Sequence, residues 1–177
     1  LTGTGGNFPA GVWVRGASKD IVLRNVLVRE IKAEAGGADG GAHGIAIYGT
    51  NADPIEDVVV EASELQDLVL GASEALVVNG NVRRFTIRQT SVHDANNIAF
   101  DFIGYEGTCS GCSGDDLGSS SVDRARDGVV SGNVAYNITS RGNPAYGQDR
   151  SAGCFYVDGG GRITIERNTA HHCDIGV

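Results

Sequence analysis

Residues 155–172 read FYVDGGGRITIERNTAHH: a short alternating run, three glycines, a second alternating run, an asparagine and a histidine pair. Phe155 and Val157 alternate with Tyr156 and Asp158, and Ile163 and Ile165 with Thr164 and Glu166. That is the period-two pattern of strands with one buried face. The glycines between them make a turn. Asp158 at its edge is then either a solvated turn residue or a carboxylate with work to do.

The same grammar recurs along the chain. GVWVRG (11–16), GIAIYG (44–49), ALVVNG (75–80), AFDFIG (99–104) and CFYVDG (154–159) are short alternating strands that close on glycine. Each is followed by a second strand: IVLRNVLV (21–28), VVVEASEL (58–65), FTIRQTSV (85–92), GVVSGNVA (128–135) and ITIERNTA (163–170). The second strands start 27 to 43 residues apart, with the variation in the connections, which is how stacked repeats take up insertions as outer loops. Helices are excluded because the runs are short, interrupted by glycine, and rich in β-branched and aromatic residues.

Equivalent positions repeat in kind, which favours stacked coils over an antiparallel sandwich. Ile45, Leu76, Phe100 and Phe155 form one inward column, and Ile47, Val78, Phe102 and Val157 the next. Ser63, Thr90, Asn133 and Asn168 share a corner register, where small polar side chains bond the backbone of the adjoining coil; Val26 breaks that series. The expected fold is all-β, a right-handed parallel β-helix (solenoid) of about five to six rungs with long loop insertions, in one domain over residues 1–177.

This strand, glycine, strand, asparagine pattern resembles the repeat of the pectate-lyase-like superfamily over roughly residues 11 to 177. YVDGG followed by ITIERN is similar to rungs of bacterial secreted β-helix proteins, many of them polysaccharide lyases or glycoside hydrolases. The resemblance implies an extracellular protein whose partner is a polysaccharide or oligosaccharide. Fold alone leaves the activity open, since one fold hosts many.

Composition narrows the choice. The chain has 177 residues, 41% hydrophobic and 20% charged, which fits neither a disordered nor a membrane protein. Glycine, at 27 residues against 3 prolines, points to many tight turns. A net charge of -8 argues against a nucleic-acid partner, because such binding is driven by phosphate neutralisation. There is no methionine, and DIGV at 174–177 reads as the start of a further rung, so a processed piece of a longer chain is expected, with a missing segment or a self-association covering that rung.

Candidate chemistry follows from the register. One outward column holds Trp13, Ala46, Val77, Asp101 and Tyr156; the other holds Arg15, Tyr48, Asn79, Ile103 and Asp158. Asp101 and Asp158 thus stand on neighbouring coils, offset by two residues, with Cα atoms about 8 Å apart. Such a spacing suits an inverting glycosidase, in which one carboxyl protonates the leaving oxygen and the other activates water. Excursions at 105–126 and 139–152 flank the pair. Tyr48, Tyr105, Tyr146 and Tyr156 offer ring faces to sugars, Asn79 a hydrogen-bonding amide, and Arg150 or Arg141 a cation. His43, in register beside Glu74, is a second candidate acid, base or substrate contact, whereas His93, His171 and His172 fall on a different face.

No cofactor is demanded by any motif. The SGDDLG loop, with Asp115 and Asp116, has oxygens for calcium but no spaced ligand pattern, so no metal site is assigned. A lyase would need a basic residue in register with acids, and lysine is limited to Lys19 and Lys32. Cys109 and Cys112 lack a second CxxC for zinc; disulfides are the preferred reading, with Cys109 and Cys112 closing a small loop and stacking bringing Cys154 near Cys173. The expected function is a glycoside hydrolase using Asp101 and Asp158, ahead of a polysaccharide lyase and a non-catalytic carbohydrate-binding or structural module.

Overall fold

The computed structural model describes residues 2–3, 8–33, 40–109, 112 and 122–177. Every regular element among them is a strand. The first pass of the chain contains β1 (Thr2–Gly3), β2 (Ala10–Arg15), β3 (Ser18–Arg24), β4 (Leu27–Arg29) and β5 (Lys32–Ala33). The next two hold β6 (His43–Gly49), β7 (Ile55–Glu61) and β8 (Glu64–Leu68), then β9 (Leu76–Gly80), β10 (Val82–Arg88) and β11 (Ser91–Ala95). The last two hold β12 (Phe100–Ile103), β13 (Ala125–Ser131) and β14 (Val134–Ile138), then β15 (Phe155–Asp158), β16 (Gly161–Glu166) and β17 (Thr169–Cys173).

Equivalent strands pair in parallel and in order. β2-β6-β9-β12-β15 form a first sheet, β3-β7-β10-β13-β16 a second, and β4-β8-β11-β14-β17 a third, with β1 paired to β5 outside them. Every pass therefore crosses all three sheets and advances by one strand in each. Val12, Ile45, Leu76, Phe100 and Phe155 stack in one column, and Val14, Ile47, Val78, Phe102 and Val157 in the next. With Phe85, Ile87, Leu65 and Ile138 their side chains fill one continuous core, except Val157, expected to face inward but 42% exposed on the last strand, where no further pass among the described residues covers it. Phe100 lies flat on Phe155, with ring centroids 4.9 Å apart, and Phe85 on Phe102 at 5.5 Å.

Each pass has three strands rather than the two read from the sequence. The second apolar run breaks at its small polar residue, because the residue just before it takes a left-handed conformation: Asn25, Ala62, Gln89, Gly132 and Arg167 all have positive φ. That bend sends the rest of the run into the third sheet. Two further left-handed columns repeat once per pass, Asp20, Asp57, Arg84, Asp127 and Arg162 in the second sheet, and Glu30, Asp67, Asp94, Asn137 and His172 in the third. Asp and Asn tolerate this region better than most side chains.

The corner series is a hydrogen-bond ladder. Val26 N donates to Ser63 Oγ at 3.1 Å, Thr90 N to Asn133 Oδ1 at 3.0 Å, and Asn133 N to Asn168 Oδ1 at 2.8 Å. Asn133 also donates to Ile87 O at 3.0 Å. Its role is structural, satisfying backbone groups that leave the sheets at the bend. Disulfides join Cys109 to Cys112 and Cys154 to Cys173, the second tying β17 to the start of β15.

Asn133 is 1% exposed, whereas Asn168 is only half-buried. Asn133→Ala should therefore cost about 1–3 kcal/mol by orphaning buried backbone groups, and Asn168→Ala distinctly less. Urea unfolding of the two variants checks this; equal losses would show that burial does not set the size.

Candidate functional site

The outer face of the first sheet carries the carboxyls. Asp101 pairs in register with Tyr156, so Asp158 lies one strand over and two residues on, as the alternation predicts. The environment of Asp101 differs from the expected open cleft. Down its column, Trp13 is 42% exposed, Ala46 and Val77 are fully buried, Asp101 is 2% exposed, and Tyr156 is 45% exposed. The middle of this face is covered, and Ala46, Val77 and Ile103 form a small second apolar cluster with Tyr48 against it.

Burial changes the chemistry of Asp101. Desolvation pushes its pKa up to about 7; Asp158 and Glu106 add to the rise, and the Phe102 backbone hydrogen bond opposes it. Its Oδ1 is buried and has no hydrogen-bond partner. Asp158, by contrast, is exposed. Two carboxyls on adjoining strands thus sit in opposite surroundings, which is how a site separates an acid from a base.

Glu74 joins them. Burial pushes its pKa up to about 8, reinforced by Asp101, Glu106 and Asp158. His43, 4% exposed, has its pKa lowered by burial against an opposing hydrogen bond to Glu74. Its Nδ1–H donates to the Glu74 carbonyl at 3.1 Å, which leaves Nε2 to accept from the Tyr48 hydroxyl at 3.4 Å. The His43 Nδ1 and Glu74 Oε2 atoms are 3.7 Å apart, but with the histidine pushed toward neutral and the acid toward protonated this is a contact between uncharged groups.

The remaining sequence candidates have definite places. Tyr48 is half-buried, its ring set against His43 and edge-on to Trp13 at 6.1 Å, and burial raises its phenol pKa. Asn79 is buried and already engaged, donating to Glu106 Oε2 and accepting from the Thr108 hydroxyl, each at 2.9 Å. Tyr105 accepts a hydrogen bond from Arg124 at 2.6 Å, and the same guanidinium lies 5.6 Å from its ring. Tyr156 presents an exposed ring. Arg150 is exposed in the connection between β14 and β15, and no bond joins it to the carboxyls among the described residues. Asp115 and Asp116 lie outside the described residues.

Glu74 and Glu106 escaped selection as site residues for different reasons. Strict alternation fails at the start of each first-sheet strand, where two successive residues face the core: Ala75 and Leu76, Ala99 and Phe100, Cys154 and Phe155. That slip reverses the parity of Glu74. Glu106 sits in the excursion, held through Asn79, and only its charge marks it. Away from this face, His93 proved buried, bracketed by Asp94 at 2.7 Å and Glu64 at 3.0 Å and stacked on Tyr136, as part of the third sheet's Gln66, His93, Tyr136 and His171 column.

Fold and site together define an all-β chain of stacked parallel strands bearing a partly buried carboxyl cluster. The chain is 43% identical over 167 residues to an uncharacterized protein of Bacillus subtilis (strain 168), YwoF. The match takes in 94% of this chain and 33% of that protein, so the chain spans about a third of the length of the curated relative it matches. No family model matches it, and no solved structure does.

The raised pKa values carry a sign that can be checked. Asp101 titrates from 3.8 unfolded to about 7 folded, and Glu74 from 4.5 to about 8. The folded state therefore holds protons the unfolded state has lost, and the stability these groups contribute is full at low pH and is lost as pH rises through about 7 and about 8. Urea midpoints measured from about pH 5 to 8 should fall more steeply for the wild type than for Asp101→Asn. Identical slopes would mean that Asp101 titrates normally.

Proposed function

We propose that the chain forms a right-handed parallel β-helix of the pectate-lyase-like kind and acts outside the cell as a glycoside hydrolase, with Asp101 as general acid and Asp158 as general base. Three in-order parallel sheets and the corner ladder support the fold. Two disulfides support an oxidising compartment. The observation that carries the activity is the unlike pair of carboxyls on neighbouring strands: Asp101 buried with a pKa of about 7, Asp158 in register and exposed.

In the reaction, Asp101 transfers its proton to the glycosidic oxygen as the bond from that oxygen to the anomeric carbon breaks. Asp158 takes a proton from the water that attacks the opposite side of the same carbon. Water is consumed, configuration inverts, and the two carboxyls exchange protonation states until solvent restores them. A donor with a pKa near 7 is half protonated at neutral pH, which favours both holding and giving up the proton. Asp101 has to be uncovered for this step, and its burial ends at the adjoining strand, where Tyr156 is 45% exposed. Glu74, His43 and Tyr48 set the electrostatics and orientation of the face. The β-elimination alternative gains no support here: among the described residues no arginine or lysine pairs with these carboxyls to serve as base or to hold a uronate.

Assay against a polysaccharide panel should release reducing ends without unsaturated products. Asp101→Asn and Asp158→Asn should each lower turnover at least about 100-fold, and Asp158→Asn should leave the urea midpoint within the range of the wild type. Full activity in both variants would overturn the assignment, and product absorbance near 235 nm would replace hydrolysis by elimination.

A further inference from the structure

The two charged faces of the molecule treat their carboxyls differently. On the second sheet the acids are held by cations: Glu56 by Lys19, Arg83 and Arg84, Glu61 by Arg24 and Arg88, and Asp127 by Arg162. Accordingly the pKa values of Glu56, Glu61 and Asp127 are lowered, chiefly by those hydrogen bonds. On the first sheet no such pair with an arginine or lysine forms among the described residues. Among the described residues Glu74, Asp101, Glu106 and Asp158 have no arginine or lysine partner, and the pKa values of Glu74 and Asp101 are raised, chiefly by burial and further by the neighbouring carboxyls. Two carboxyls desolvated by burial, Glu74 and Asp101, and two exposed ones, Glu106 and Asp158, thus lack the cationic partners that Glu56, Glu61 and Asp127 have on the second sheet.

A second observation bears on the same cluster from inside. Asp101 is 2% exposed and its Oδ1 accepts no hydrogen bond, although leaving a buried acceptor unpaired costs about 1–3 kcal/mol. No group of three acids or histidines among the described residues is arranged to hold a metal ion. The missing charge is therefore better matched to a dispersed cation than to a point ion. Exposed aromatic rings stand at both ends of the column, Trp13 on the first strand and Tyr156 on the last, four strand spacings or about 19 Å apart. Ring faces attract sugar CH groups and alkylammonium groups alike.

We propose that this face takes a cationic glycan, an amino-sugar polymer whose ammonium groups lie against the exposed carboxylates Glu106 and Asp158, with sugar rings against Tyr156 and Trp13. The substrate class rests on the hydrolase reading, but recognition and cleavage are separable. Polyuronates are disfavoured by the same charges, since like-charge juxtaposition across a binding face works against association.

Trp13 is the one tryptophan of the chain, so its fluorescence reports on this face without labelling. The probes are N-trimethylated chitosan oligomers, whose charge does not titrate, cello-oligosaccharides as uncharged counterparts, oligogalacturonates, and calcium chloride alone. The trimethylated oligomers should bind at least about tenfold tighter than the other two glycans at low salt, and that advantage should shrink as salt is raised. Glu106→Gln should reduce the advantage several-fold while leaving cello-oligosaccharide binding unchanged. Glu106 is exposed, so the variant should fold as the wild type does. Equal or tighter binding of the uncharged or anionic oligomers overturns the inference, as does the absence of any binding. A Trp13 response to calcium that abolishes the difference between oligomers would assign the cluster to a metal and overturn it too. Charge-selective binding without release of reducing ends would remove the hydrolase reading and leave this one standing; cleavage of uncharged glycans without charge preference would do the reverse.

Discussion

Parallel, in-order pairing between successive passes is the constraint on which everything else depends. Each first-sheet strand donates to and accepts from the equivalent strand one pass away, so a residue's neighbours are its counterparts in sequence rather than its own flanks. Phe100 can stack on Phe155 only because the columns coincide, and Asn133 can reach both Asn168 and the backbone of Thr90 only for the same reason. A slip of one residue would turn every core side chain to the outside. Left-handed residues at matching points of each pass keep the bends in phase, so the three sheets remain in step despite connections of unequal length.

This dependence explains what could be read from the chain beforehand. Alternation is local, so the inward columns through Ile45 and Ile47, Val157 excepted, and the outward placement of Asp101 and Asp158 were legible, as was the corner series Ser63, Thr90, Asn133 and Asn168. The division of each second strand at that corner was not, because positive φ at Ala62, Gln89 and Arg167 leaves no mark in residue type; only Gly132 and Asn25 hint at it. Parity also failed where two neighbours both enter the core, as Ala75 and Leu76 do, and this hid Glu74. Alternation tells which side a residue faces but not what lies over that side. The burial of Asp101 arises from cover supplied by distant segments, which no local pattern encodes.

Electrostatics divide the surface along the same lines. Arginines on the second sheet bind acids of the adjoining pass, Arg83 and Arg84 to Glu56, and Arg162 to Asp127, so charge is neutralised between passes just as backbone polarity is. The first sheet carries acids where the second carries matched pairs, and it buries some of them. Protonation then substitutes for pairing, at a cost in stability once the pH exceeds the raised pKa values. Proteins commonly concentrate such locally unfavourable arrangements where they do chemistry.

A molecule whose sheets advance by one strand per pass has no single inner knot. Contacts join each pass to the ones directly before and after it, so cooperativity spreads along the axis as in a row of dominoes. β9 and β12 are each paired on both sides, so their amide protons should exchange slowly. Asp101 lies on β12 and Glu74 just before β9, so each acid that burial desolvates is set on or beside a strand clasped from both sides, where local opening is hardest.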